Sequence, residues 1–171
     1  GETVVVDGGC IGERLRLAAL PAEGPEEWSE AEALERLEVA LVDSVTVHQR
    51  SDVPYGLFLS GGVDSSVVLA LMRELNDEPV QAFTVGFSGT GVHDERRHAE
   101  AVAEAAGARY QAVEFSEADF WRLLPPIAAA MDDPAADYAV LPTYKLAEEA
   151  RRHGLKVILT GEGGDELFAG Y

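Results

Sequence analysis

Polar and apolar positions along this chain follow two periods, and the places where one gives way to the other mark its elements. Residues 53–59, VPYGLFL, are a short apolar run of strand length, rich in aromatic and branched side chains. Beyond two glycines, SVVLALMREL repeats apolar positions at helical spacing through Val67, Leu71 and Leu75. PVQAFTVGF predicts a second strand ending at Gly86. Asp94 then precedes ERRHAEAVAEAAG, a helix with Ala99, Val102, Ala103 and Ala106 as a small-residue face and Gly107 as its stop. RYQAVEF alternates as a third strand. Ser116 with Asp119 opens a helix carrying Phe120, Leu123, Leu124, Ile127 and Met131, which Pro125 and Pro126 should kink or split. DDPAADYAVLP has loop chemistry. LPTYKLAEEARRHG is helical, with Arg151, Arg152 and His153 in its last turn and Gly154 after it, and LKVILT reads as a buried fourth strand.

The first residues differ in pattern. A β-branched run TVVV, the turn DGG, a second apolar patch around LRLAAL and then PAEGPEE predict a hairpin followed by a linker. Ser29 and Glu32 have capping-box spacing, and Leu34, Leu37, Leu41 and Val45 share one face of a helix of about four turns. Past that helix, strands alternate with helices. This order predicts an α/β domain whose parallel sheet has helices on both faces and whose ligands bind beyond the carboxyl ends of the strands. Three glycine-bearing turns, after LFL, FTV and VILT, then converge on one rim.

Composition narrows the choice of ligand. At 171 residues and 47% apolar the chain has the makings of one soluble domain. Thirty-one acidic against thirteen basic residues leave a net charge of −18, which argues against nucleic acid and anionic lipid as partners. The start GETVVVDGGC has neither the basic nor the apolar region of a signal peptide, and no apolar run approaches a bilayer span, so the expected location is cytoplasmic. Cys10 is alone, and His48, His93, His98 and His153 show no ligand spacing and read as surface or helix-end residues.

Candidate chemistry lies in two turns. SGGVDSS, residues 60–66, joins a strand to a helix, so Gly61 and Gly62 let the main chain approach an anion that faces the amides and positive dipole end of that helix. Asp64 beside a bound phosphate calls for a divalent cation between the two. The loop has neither the lysine of a P-loop nor the GxGxxG spacing. GEGGDELFAGY, residues 161–171, places Glu162, Asp165 and Glu166 on a glycine-rich turn after a strand, a crowding of charge that magnesium would relieve.

SGGVDSS resembles the pyrophosphate-binding loop of the ATP pyrophosphatase superfamily. Together with TGEGGDELFAGY, the FTVGF segment and the DERRHAEAVAEAAGA helix in the same order, it is similar to the synthetase domain of the glutamine-hydrolysing asparagine synthetase family and its relatives, the β-lactam synthetases included. The likeness covers roughly residues 29–171. It implies an adenine nucleotide alpha hydrolase-like, Rossmann-like sheet and, with residues 1–28 resembling the tail and linker of a preceding glutaminase domain, a fragment of a larger enzyme.

The resemblance also implies roles. Ser60, Gly61, Gly62 and Ser65 hold the pyrophosphate of ATP; Leu59, Val85, Thr160 and Gly161 lie against the adenosine; Asp64 and Asp165 are ligands of Mg2+. Glu162 stands where asparagine synthetases carry a glutamate and β-lactam synthetases a tyrosine, which favours attack by ammonia and makes it the candidate general base. The implied reaction adenylates a carboxylate, aspartate in the first instance, to β-aspartyl-AMP and pyrophosphate, and ammonia from a glutaminase domain then gives asparagine. Two family features are missing: no N-terminal nucleophilic cysteine stands at Gly1, and a lysine that assists the second half-reaction lies beyond Tyr171 in the family. No arginine occurs in DDPAADYAVLP, where some asparagine synthetases have one near the substrate, so a different acid, as in β-lactam synthesis, stays open, as does a nucleotide-binding module without complete activity. A homodimer is compatible with the sequence, but nothing in it fixes the oligomeric state.

Overall fold

The computed structural model describes residues 2–16, 24–87, 94–133, 137–168 and 170. The chain divides into two compact units, residues 1–38 and 39–171. The first begins with the predicted hairpin, β1 (Glu2–Asp7) paired antiparallel with β2 (Cys10–Arg16). Gly8 and Gly9 connect them at φ of +56° and +79°, the left-handed pair that gives a two-residue turn the twist of its strands. The rest of the LRLAAL patch and the first part of the PAEGPEE segment, residues 17–23, lie outside the described residues.

Helix α1 (Glu30–His48) starts at the predicted capping box. The Ser29 amide and hydroxyl both donate to Glu32 Oε2, at 2.9 and 2.7 Å, and the Glu32 amide donates back to Ser29 Oγ. These bonds, that of the Ser29 hydroxyl first, hold the Glu32 carboxyl below its ordinary range. At 19 residues the helix is longer than the predicted four turns. Its apolar stripe is covered only towards the C-terminus, since Leu34 is exposed, Leu37 and Leu41 are half-buried and Val45 is buried.

The second unit is built on β3 (Tyr55–Phe58), β4 (Gln81–Gly86), β5 (Arg109–Glu114) and β6 (Val157–Leu159), in the order β5-β4-β3-β6 with every neighbouring pair parallel. The connecting helices are α2 (Val63–Leu75), α3 (Arg96–Ala105), α4 (Glu117–Ala130), α5 (Val140–Arg152) and, after β6, α6 (Gly164–Phe168). Strand alternation sends Leu57, Leu59 and Ala82 to one face, where Leu69 and Met72 of α2 and Ala99 and Ala103 of α3 complete a buried cluster. Phe83 and Val113 turn to the other face and pack with Leu146 and Ala150 of α5. Leu123 and Ile127 of α4 continue that layer with Phe115 and Leu141. Each such large side chain stabilises the fold by roughly 1.5–3 kcal/mol, so the two-faced sheet is the main source of stability. The alanines of α3 serve a further purpose, because their small size seats that helix close to the sheet.

The helices-on-both-faces expectation therefore holds, with three local corrections. β6 is not fully buried; its three residues are all half-buried, as befits a strand at the margin of the described sheet with a neighbour on one side only. α4 is not split at Pro125 and Pro126 but runs unbroken from Glu117 to Ala130. The carbonyls one turn back that lose their donors belong to the exposed Trp121 and Arg122, where water can replace the missing amides. Asp94 precedes α3 as expected, one residue before Glu95 at the helix start, and its carboxylate accepts from the Arg96 amide at 3.1 Å and pairs with the Arg96 guanidinium at 2.6 Å. Finally, α5 begins at Val140, just inside the predicted loop DDPAADYAVLP, of which residues 134–136 lie outside the described residues, as does His93. Among the described residues no helix is long and apolar enough to cross a membrane.

Candidate functional site

Strand order decides where a ligand can enter. The chain adds β4 and then β5 on one side of β3 before returning to place β6 on the other, so the strand order reverses between β3 and β6, and the connections leaving these two strands begin side by side at their carboxyl ends. A crevice opens there in open sheets of this kind. The turns flanking it are SGGVDSS, after β3, and GEGGDE, after β6.

The first turn is held by its own hydroxyls. Ser65 is buried, and its Oγ lies 2.9 Å from Ser60 Oγ, accepts from the Ser60 amide at 3.3 Å and donates to the Gly62 carbonyl at 3.3 Å. Ser60 Oγ in turn accepts from the Gly62 amide at 3.2 Å, and Ser66 Oγ donates to the Gly62 carbonyl at 2.7 Å. Gly62, in an extended conformation, caps α2 with no side-chain acceptor, which leaves the first-turn amides of a 13-residue helix directed at the crevice. Gly61 has φ of +83°, and a Cβ there would stand 3.0 Å from the His98 ring and 3.2 Å from the Ala99 amide nitrogen. The close seating of α3 thus makes glycine obligatory at the bend.

The second turn lies directly on the first. A Cβ on Gly161 would come within 2.7 Å of the Ser65 amide nitrogen and 3.1 Å of the Asp64 main chain. One on Gly164 would run into the Asp64 carboxylate, 2.7 Å from its Oδ1. The two corners, far apart in sequence, are packed against each other with no room for a methyl group. Gly163 between them has φ of +101°. Asp64 is half-buried at this junction, and Glu162, Asp165 and Glu166 are exposed on the turn and on the five-residue α6.

The sequence-derived candidates divide accordingly. Asp64, Ser65, Gly161 and the loop of Ser60, Gly61 and Gly62 meet at one junction. Leu59 is buried in the core with its side chain among Leu57, Leu69 and Met72, so only its main chain reaches the rim. Val85, near the end of β4, is half-buried against both apolar clusters of the second face, and Thr160 is exposed just beyond β6. His98, read from sequence as a surface residue, is exposed, but its ring rests on the anion-facing loop. Thr84 went unnoticed in the sequence; it is buried, and its hydroxyl donates to the Leu59 carbonyl at 2.5 Å. A lone hydroxyl in the apolar run AFTV was the only sign of it.

The residues present fit a phosphate and an associated cation on local grounds. The helix start is uncapped, the bend has no Cβ, and among the described residues no lysine, arginine or histidine pairs with Asp64, Glu162 or Asp165. Among the described residues there is also no group of three or more His, Cys, Asp or Glu side chains close enough to hold a metal unaided. A cation here would therefore take much of its shell from phosphate and water, as magnesium commonly does at nucleotide sites.

Comparison with known proteins gives the chain a family and its fold a likeness. The family model described as asparagine synthase matches residues 36–171. The chain is 41% identical over 147 residues to asparagine synthetase [glutamine-hydrolyzing] 1 of Bacillus subtilis, covering 86% of this chain and 23% of that protein. It is 42% identical over 132 residues to a putative asparagine synthetase [glutamine-hydrolyzing] 2 of Methanocaldococcus jannaschii, covering 77% and 25%. The chain thus spans about a quarter of the length of these relatives. In fold it is similar to a glutamine-dependent NAD+ synthetase of Acinetobacter baumannii solved with ADP, at a TM-score of 0.51 and 24% identity over 88% of this chain and 29% of that one.

Proposed function

The chain belongs to the asparagine synthase family, and from that premise we propose that it is the nucleotide-binding part of an ATP-dependent amide-forming ligase, which adenylates aspartate with release of pyrophosphate so that ammonia can form asparagine. The observation that carries the reading is the junction of the two glycine-rich corners, where Gly161 and Gly164 bring the second turn against Asp64 and the start of α2. In this reading Ser60, Gly61, Gly62 and Ser65 hold the pyrophosphate portion of ATP through main-chain amides and hydroxyls. Leu59, Val85, Thr160 and Gly161 border the adenosine, Leu59 through its main chain alone.

Asp64 and Asp165 would hold Mg2+, which when bound spreads the charge that builds on the leaving pyrophosphate. The chain's own part is to present fixed dipoles at that point, so that little reorganisation is needed as the bond to the α-phosphorus changes hands. Glu162, exposed on the rim, is the base that takes a proton from the attacking amine. Ammonia would come from a glutaminase domain, to which residues 1–28 form the tail and linker and 29–171 the synthetase portion.

The test is pyrophosphate release from ATP and Mg2+ on addition of aspartate, with Asp64→Ala as background. Release above that background supports the ligase; none, with MgATP still bound, leaves a nucleotide-binding module. The missing arginine in residues 132–142 favours a second reading in which the acid is not aspartate. ATP–pyrophosphate exchange measured across a panel of carboxylic acids decides between them. Glu162→Gln is expected to leave MgATP affinity unchanged and to slow amide formation in the complete enzyme about tenfold or more, the size of a lost general base. Normal turnover would remove Glu162 from the mechanism.

A further inference from the structure

The ladder between β3 and β4 pairs Leu57 with Ala82 and Phe58 with Phe83 and goes no further, although β4 continues to Gly86. The Leu59 amide still donates to the Phe83 carbonyl at 2.8 Å. Its carbonyl, which the next rung would have satisfied, instead accepts from Thr84 Oγ1 at 2.5 Å. A buried carbonyl needs a donor, so a side-chain hydroxyl here lets the main chain leave the sheet one residue before Ser60 without an unpaired group. Alternation points Thr84 to the same face as Ala82, towards α2 and α3. On the same face Tyr110 of β5 donates its hydroxyl to the Arg96 carbonyl at 3.0 Å. Arg96 opens α3, and two and three residues later His98 and Ala99 press on Gly61.

We propose that Thr84 is a positioning residue for the anion-facing loop: its hydroxyl fixes the Leu59 carbonyl at the point where the main chain leaves the sheet, so that Ser60, Gly61 and Gly62 present their main chain in one orientation. The proposal deepens the nucleotide-binding reading and rests on it for the ligand, but not for the geometry.

Two readouts on this chain keep the two apart. Amide hydrogen exchange without nucleotide reports the loop itself, and calorimetry with MgATP reports its use. Thr84→Val, which keeps shape and removes the donor, is expected to speed exchange at residues 59–66 while α5 stays as in the wild type. It should also weaken MgATP about tenfold, the equivalent of roughly one hydrogen bond. Thr84→Ser restores both to within about twofold, a rescue that a purely space-filling threonine would not show. Unchanged exchange at 59–66 in Thr84→Val, or a serine variant as impaired as the valine one, overturns the proposal. Should the wild type fail to bind MgATP while Thr84→Val still loosens the loop, the nucleotide reading falls and the positioning role stands. Where Thr84→Val does not fold, Thr84→Ala takes its place, with faster exchange at 59–66 expected and unchanged exchange counting against the role.

Discussion

Gly161→Ala is expected to weaken MgATP binding by roughly thirty- to hundredfold while leaving most of the domain folded. The added methyl would sit 2.7 Å from the Ser65 amide nitrogen and 3.1 Å from two atoms of Asp64, most of them main chain, which cannot swing aside as the end of a long side chain can. One of the two turns must move, and overpacking of this kind costs about 1–3 kcal/mol. Because the obstruction lies between the helix start and the second corner, the displacement falls on the groups assigned to the ligand. Gly164→Ala makes an informative companion: the three atoms nearest its methyl all belong to the Asp64 carboxylate, which can rotate, so the loss should appear mainly as weaker dependence on Mg2+. Gly24→Ala, with open space around it, is the control. Calorimetric affinities equal to the wild type in Gly161→Ala would mean that the two turns do not share a ligand.

Asp119→Ala is expected to destabilise the second unit by about 3 kcal/mol, read as a lower urea midpoint. The Asp119 carboxylate does two jobs. It accepts from the Ser116 amide and hydroxyl at 3.1 and 2.8 Å as half of the α4 capping box, and it receives Lys145 Nζ of α5 at 2.6 Å, with Arg122 at 3.3 Å. Both the Asp119 and Lys145 side chains are only 16% exposed, so the pair is worth more than a surface ion pair and less than a fully buried one. Lys145 is the largest reason, ahead of the Ser116 bonds, that this carboxyl is held far below its ordinary range, against the opposing effect of burial. The sign follows from linkage. Above the ordinary carboxylate range, near pH 4, both folded and unfolded chains carry the charge and the stabilisation is complete. Below it the unfolded chain takes up a proton that the folded chain refuses, so stability falls with pH until the depressed folded value is passed. Asp119→Asn should flatten that acid limb, and an unfolding free energy for Asp119→Ala within about 1 kcal/mol of wild type would sink the account.

Most of the fold could be read from local pattern because each element buries one clear face. The capping boxes at Ser29 and Ser116, the glycine turn of the hairpin and the order of strands and helices all follow from residues within a few positions of one another. The errors lie where burial depends on a distant neighbour. LKVILT looks like a central strand by composition, but its place at the margin of the described sheet leaves it half-covered. Pro125 and Pro126 look like breakers, but the carbonyls they deprive face solvent. The candidate site shows the same division. Its two glycine-rich corners announce themselves by composition, whereas their contact through Gly161 and Gly164, the core position of the Leu59 side chain and the bond from Thr84 all arise from strand order.

That strand order sets the timetable of synthesis. A ribosome making this polypeptide releases Ser60 about a hundred residues before Gly161, an interval of roughly 5–20 s at ordinary elongation rates. Within it β4 and then β5 emerge and can join β3, yet the side of β3 that will receive β6 has no partner, and the loop at Ser60 lacks the turn that will lie opposite it. A nascent chain can therefore bury much of its apolar surface well before it can grip a nucleotide, and acquisition of that grip waits for β6 to join β3 rather than for the first strands to pair.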